Sequence, residues 1–149
     1  MKILCINGPN LNLLTKRDKS LYGKLNLSGI ESLLKNEFPE ISFTFFQSNI
    51  EGEIINIIQE ASSKYSALMI NPGGYAHTSV AIKDALDLCT IPKVEIHLSH
   101  LAKREDYRQK LITASSCDGY ISGFKEYSYF AGVYLIQKLI NNKKKNKID

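Results

Sequence analysis

The chain has 149 residues, of which 44% are hydrophobic and 23% charged, with a net charge of +4. That length supports one domain with a core of its own, and no apolar run is long enough to be read as a membrane span. Much of the positive excess lies in the last residues, Asn141 to Lys147. No aromatic side chains interleave there, so a solvated basic tail over 143–149 is expected after a single domain over 1–142, without a nucleic-acid or membrane partner.

In chain order, Lys2 to Ile6 is a short apolar run closed by Asn7-Gly8-Pro9-Asn10, the pattern of a first strand. The start at Met1-Lys2-Ile3 enters that strand directly, without the shape of a signal peptide. Asn10 to Gly23 has no clean period and is long for a connection, which favours a functional loop or lid. Ser28-Gly29-Ile30-Glu31 has capping-box spacing and predicts a helix to about Phe38, stopped by Pro39. Ile41 to Phe46, β-branched and aromatic, is the second strand. Glu51 to Lys64 places Ile54, Ile57, Ile58 and Ala61 on one helical stripe. Ala67 to Ile70 is a buried third strand ending in Asn71-Pro72-Gly73-Gly74. His77 to Leu88 reads as a helix, Val94 to Ser99 as a fourth strand, and Tyr107 to about Ala114 as a shorter helix. Gly119 to Ser122 is a fifth strand and Tyr127 to Ile140 a closing helix.

Five apolar strands alternating with helical crossovers imply an α/β fold: a flavodoxin-like, doubly wound, five-stranded parallel sheet with helices on both faces. Ligands in that class sit beyond the carboxyl ends of the strands, where the polar clusters of this sequence fall. Cys5, Cys89 and Cys117 are odd in number, widely spaced and set among apolar residues. They fit small core residues in a reducing cytoplasm better than disulfides or zinc ligands.

The fourth strand carries the densest chemistry. Side chains in a strand alternate faces, so Glu95, His97 and Ser99 share one side and Val94, Ile96 and Leu98 the other. Buried polar groups must be paired, and three in line suggest either a satisfied polar network or a strand that ends at an active site. His97 is a candidate acid or base with Glu95 beside it. His77-Thr78-Ser79, read as a helix start, offers free N–H groups to an anion such as a carboxylate. In the loop, Arg17 precedes Tyr22 by five positions, close enough to favour a phenolate, although two exposed loop residues would look the same. Spacing supports neither a metal nor a nucleotide: His77, His97, His100 and Glu95 form no ligand motif, and Gly73-Gly74 belongs to no phosphate loop.

These residues together resemble the type II 3-dehydroquinate dehydratases. The resemblance is carried by Asn7-Gly8-Pro9-Asn10-Leu11-Asn12-Leu13-Leu14, Arg17, Tyr22-Gly23, Phe46-Gln47-Ser48-Asn49 and Glu51-Gly52-Glu53. It continues through Asn71 to Ser79, Asp84, Val94 to Ser99, Arg104-Glu105 and Arg108, in order, from Ile3 to about Ile140. It implies elimination of water from 3-dehydroquinate through an enolate, with no cofactor and no metal. Carried over by motif position, Tyr22 is the base and Arg17 favours its charged form. Asn10 orders the enolate, His97 protonates the leaving hydroxyl, and Glu95 steadies His97 or the tyrosine's surroundings. Asn71, Leu98 and Ser99 would hold the substrate carboxylate, and His77 and Arg108 the ring hydroxyls. Asp84 would reach the site of a neighbouring subunit in a dodecamer of four trimers. Thr15, Lys19 and Ile50 depart from the family's usual glycine, proline and histidine; the first two bear on how the lid closes. The competing class is a flavin-binding or signalling domain of the same fold, which has no need of Arg17, Tyr22 and His97 together.

Overall fold

The computed structural model describes residues 1–145, the last three by their backbone alone. The strands β1 (Lys2–Asn7), β2 (Ser42–Gln47), β3 (Ala67–Asn71), β4 (Lys93–His97) and β5 (Gly119–Ser122) form one parallel sheet in the order β2-β1-β3-β4-β5. This is the flavodoxin-like arrangement expected. The helices are α1 (Lys19–Tyr22), α2 (Leu27–Glu37), α3 (Glu51–Lys64), α4 (Val80–Leu88) and α5 (Tyr127–Lys145). No described helix is long and apolar enough to cross a membrane. The closing helix runs past the expected Ile140 to Lys145; the rest of the basic tail lies outside the described residues.

Strand alternation sorts the core into two layers. Ile3 and Cys5 of β1 with Ala67 and Met69 of β3 pack against Ile30 and Leu34 of α2 and Val133 and Ile136 of α5. Leu4 and Ile6 with Leu68 and Ile70 pack against Ile54 and Ile58 of α3 and Ile82 and Leu86 of α4. Val94 and Ile96 belong to the first layer, so Glu95 and His97 emerge on the face of α3 and α4. Apart from the lysines that open β1 and β4, the strands β1, β3 and β4 are buried, and apolar on both faces except for this pair and the asparagines that end β1 and β3. Cys5 and Cys89 are buried, Cys117 is half-buried, and all three are free thiols.

Four local expectations are corrected. The cap of α2 is Asn26 rather than Ser28: its Oδ1 accepts from Gly29 N at 2.8 Å and from the Ser28 hydroxyl at 3.0 Å. Asparagine caps as well as serine, and Ser28 is already inside the helix. The helix expected from His77 begins at Val80, because Ser79 is its cap, accepting from Ile82 N at 2.9 Å. Residues Gly73–His77 form a separate 3-10 turn. Tyr107 to Ala114 is not a helix but two 3-10 turns, Asp106–Arg108 and Thr113–Ser116. Between them Ile112 N donates to Ala76 O at 2.8 Å, so its hydrogen bond goes across to the 73–77 turn and not along a helix. The stretch from Asn10 to Gly23 is more structured than its pattern suggests, with a 3-10 segment Leu11–Lys16 followed by α1.

The loops after β1 and β3 meet backbone to backbone. Gly8 N donates to Asn71 O at 2.8 Å, and a Cβ on Gly8 would fall 2.3 Å from Pro72 O. Gly73 answers from the other side with φ +61°. This close approach brings the carboxyl ends of β1, β3 and β4 under one mouth.

Candidate active site

Over that mouth lies an open pocket, lined by Arg17 and Tyr22 from the lid, Asn71 at the end of β3 with Gly73 and His77 beyond it, and His97 at the end of β4 with Leu98, Ser99 and Arg108 beyond it. Of the sequence candidates, it brings together Arg17, Tyr22, Asn71, His77, His97, Leu98, Ser99 and Arg108. Glu95 stands behind His97 rather than in the pocket. Asn10 and Asp84 do not line it. Asn10 is exposed, with φ 67°, its N–H donated to Asn49 Oδ1 at 3.0 Å. Asp84 lies on α4 with 67% of its side chain exposed, 3.9 Å from Lys83 Nζ.

The strand-end wall is built from buried pairs. Nε2 of His97 meets Oε1 of Glu95 at 2.7 Å, and the Thr113 hydroxyl donates to Oε2 of the same carboxylate at 2.6 Å. Glu95 and Thr113 are fully buried and His97 nearly so. Asn71 is fixed through Tyr129 of α5: Asn71 Nδ2 donates to the phenol at 3.2 Å, and the phenol donates to Asn7 Oδ1 at 2.5 Å. Burial pushes the Tyr129 phenol well above its ordinary range, which keeps it a donor. Asn71 Oδ1 is taken by Gly73 N at 3.2 Å, so its free amide hydrogen is what remains for a ligand. The His77 ring stacks on His97 with centroids 6.3 Å apart, and its Nδ1 donates to Lys110 O at 2.9 Å. Burial depresses the His77 ring below its ordinary value, against the raising effect of the Lys110 carbonyl. A neutral ring with Nδ1 protonated presents Nε2 as an acceptor.

The lid wall is held by charge. Arg17 Nη2 donates to the Tyr22 oxygen at 2.5 Å, with its guanidinium 3.8 Å from the ring centroid. Arg104 Nη1 donates to the same oxygen at 2.9 Å and to Ser99 Oγ at 2.9 Å. Burial works against the charge of Arg104, but its bonds to Tyr22 and Glu105 outweigh it and hold the guanidinium above its ordinary value. Glu105 joins both arginines, accepting from Arg104 Nε at 3.1 Å and Arg108 Nε at 3.0 Å. Its own backbone N–H, then Arg104, hold its carboxyl down to about 2. The lid helix α1 starts with Asp18 as cap, accepting from Ser20 N at 2.8 Å, and ends at Gly23 with φ 86°. Lys19 therefore needs no proline in its place to begin that turn.

The helix start read as an anion site is satisfied within the chain: Thr78 N and Ser79 N donate to Tyr75 O, and Ile82 N donates to Ser79 Oγ. The Ser79 hydroxyl donates to Glu51 Oε1 at 2.5 Å, away from the pocket. What lines the pocket instead is Gly73, Gly74 and His77 of the turn, with Leu98 and Ser99. Arg104 has no role in the sequence pattern beyond its place there; its signal is the Arg-Glu-x-x-Arg run that lets one carboxylate brace two guanidiniums. Thr113 and Tyr129 gave no signal, since each looks like an ordinary half-polar residue in an apolar run. Among the described residues no group of three or more His, Cys, Asp or Glu is placed to hold a metal ion.

The profile of the family described as dehydroquinase class II matches residues 1–137. The chain is 49% identical over 146 residues to a 3-dehydroquinate dehydratase of Clostridium perfringens (strain SM101 / Type A), covering 96% of this chain and 100% of that one. It is 44% identical over 146 residues to a 3-dehydroquinate dehydratase of Aliarcobacter butzleri, covering 97% and 89%. In three dimensions it is similar to the type II dehydroquinase of Butyrivibrio crossotus DSM 2876, with a TM-score of 0.88, 39% identity and coverage of 92% and 97%. A match of that length in sequence, and of that closeness in fold, makes this chain a member of the class II dehydroquinase family.

Proposed function

We propose that this protein is a 3-dehydroquinate dehydratase of the shikimate pathway, removing water through an enolate. The observation that carries the mechanism is the division of the pocket. A phenol oxygen held by two guanidiniums faces a histidine backed by a buried carboxylate.

Two adjacent cations stabilise negative charge on the Tyr22 oxygen, which makes the phenolate a usable base. It takes the proton alpha to the ketone, and the electrons of that C–H bond pass into the enolate. Asn10, outside the pocket lining, is assigned the enolate oxygen by its place in the family's motif, acting through a water. As the enolate collapses to the ketone, the new C=C forms and the C–O bond beta to it breaks. His97, both nitrogens protonated, gives the Nδ1 proton to the departing hydroxyl, which leaves as water. Nε2 stays on Glu95 throughout, so that carboxylate offsets the imidazolium charge. The substrate carboxylate is received by the Asn71 amide, the Leu98 and Ser99 backbone and the Ser99 hydroxyl, and the ring hydroxyls by His77 and Arg108.

Asp84 belongs to the assembly. Its exposed place on α4, beside exposed Val80 and Leu88, suits a reach into a neighbouring subunit of a dodecamer built from four trimers. Three free thiols accord with a cytoplasmic home. The test is direct: purified protein with 3-dehydroquinate should generate the ultraviolet absorbance of a conjugated enone without added metal or cofactor. No enone, or enone formed equally well from an analogue lacking the carboxylate, contradicts the reading.

A further inference from the structure

We infer that Thr113 is a positioning residue for the dehydration step, acting on His97 through Glu95. The inference rests on the acid role given to His97 above. Glu95 is fully buried, so each carboxylate oxygen needs a donor. Oε1 has His97 Nε2 at 2.7 Å and Oε2 has the Thr113 hydroxyl at 2.6 Å. With Thr113 in place the carboxylate cannot rotate without breaking a bond at both ends. Its Oε1 stays in line with Nε2, and the other imidazole nitrogen, Nδ1, stays available to the pocket. Without the hydroxyl, Oε2 is left buried with no partner in the structure, and the carboxylate loses the contact that fixes its plane.

The position of Thr113 is itself anchored. Ile112 N donates to Ala76 O at 2.8 Å and Lys110 O accepts from His77 Nδ1 at 2.9 Å. One strap, 110–113, therefore sets the ring orientation of both stacked histidines, by a carbonyl for His77 and by a hydroxyl and carboxylate for His97. The hydroxyl is the element specific to the acid. Valine has nearly the same shape and cannot donate; serine can donate but lacks the methyl group.

The experiment compares Thr113→Val, Thr113→Ser, Glu95→Gln and the double Thr113→Val/Glu95→Gln variant in the full chain. Two rates are read from substrate deuterated alpha to the ketone: loss of label to solvent and formation of enone. Thr113→Val should lower enone formation about tenfold, the scale of one bond to a charged group, with KM within about threefold of the unsubstituted protein. Label loss should fall much less, so the ratio of exchange to dehydration rises, and Thr113→Ser should restore that ratio. The double variant should be no worse than Glu95→Gln alone. Equal falls in exchange and dehydration, an unchanged Thr113→Val rate, or additive losses in the double variant would overturn the inference. If Thr113→Val does not fold, Thr113→Ser and Glu95→Gln still decide it: serine must keep the ratio and glutamine must raise it. Failure of the unsubstituted protein to form enone is a different result, and contradicts the proposed activity instead.

Discussion

The two walls of the pocket are built on different physics. On the strand-end side, Glu95, His97, Asn71, Asn7, Thr113 and Tyr129 are all buried, each with a hydrogen-bond partner within the fold. On the lid side, a single-turn helix and 3-10 turns carry Tyr22, and its oxygen is located by Arg17 and Arg104, with Glu105 tying Arg104 to Arg108. The first wall is a piece of core that happens to be polar. The second is a set of charges converging on one phenol. On the proposed mechanism, the acid that must hand over its proton in one direction sits where packing fixes its ring, and the base that needs stabilised negative charge sits where cations gather. Loss of a neutral partner should therefore hurt the first wall most, and loss of charge the second.

The largest effects should come from removing the two reacting groups. Tyr22→Phe and His97→Ala should each lower kcat by roughly 10²–10⁴-fold, with thermal midpoints near that of the unsubstituted protein for the lid variant. Next, Arg104→Met should lower kcat by about 10–100-fold, and Arg104→Lys should recover little of it, because a lysine cannot reach the phenol and Ser99 with one fork. Steady-state kinetics at low and high salt would sharpen the contrast between walls, since the lid pair should lose more to screening than the buried pair.

Gly8→Ala tests the joint between the walls. A methyl group 2.3 Å from Pro72 O forces the loops after β1 and β3 apart, and denaturant unfolding should register about 1–3 kcal/mol of lost stability. A neutral result would mean that the close approach is not needed to form the mouth. The smallest expected effect is a pH dependence at His77. Its folded value lies below the ordinary 6.5, so on acidification the unfolded chain binds that proton first. Stability should fall as pH drops through 6.5 toward the lower folded value, and below that His77 adds no further loss. His77→Gln should flatten the slope in that window.

How much of this could be read in the sequence follows the same division. The five strands, the helices α2 to α5 and the nearness of Glu95 to His97 were legible, because period-two alternation and buried apolar runs are properties of single segments. The lid showed only as an irregular stretch, since one-turn and 3-10 elements have no period to detect. The start of α4 was misplaced by three residues because a capping serine follows other polar residues, and only its bond to Ile82 N singles it out. Thr113 and Tyr129 were invisible for a different reason. Their roles depend on which polar atom lies across the sheet or beneath a helix, and that is decided by tertiary packing alone.

The most direct measurement is the fate of deuterium alpha to the ketone in the two variants that remove the reacting groups. If the lid supplies the base and the strand end the acid, His97→Ala should still release the label to solvent while forming little enone. Tyr22→Phe should do neither. Label release by Tyr22→Phe together with its retention by His97→Ala would reverse the two roles and leave the lid as a cover only.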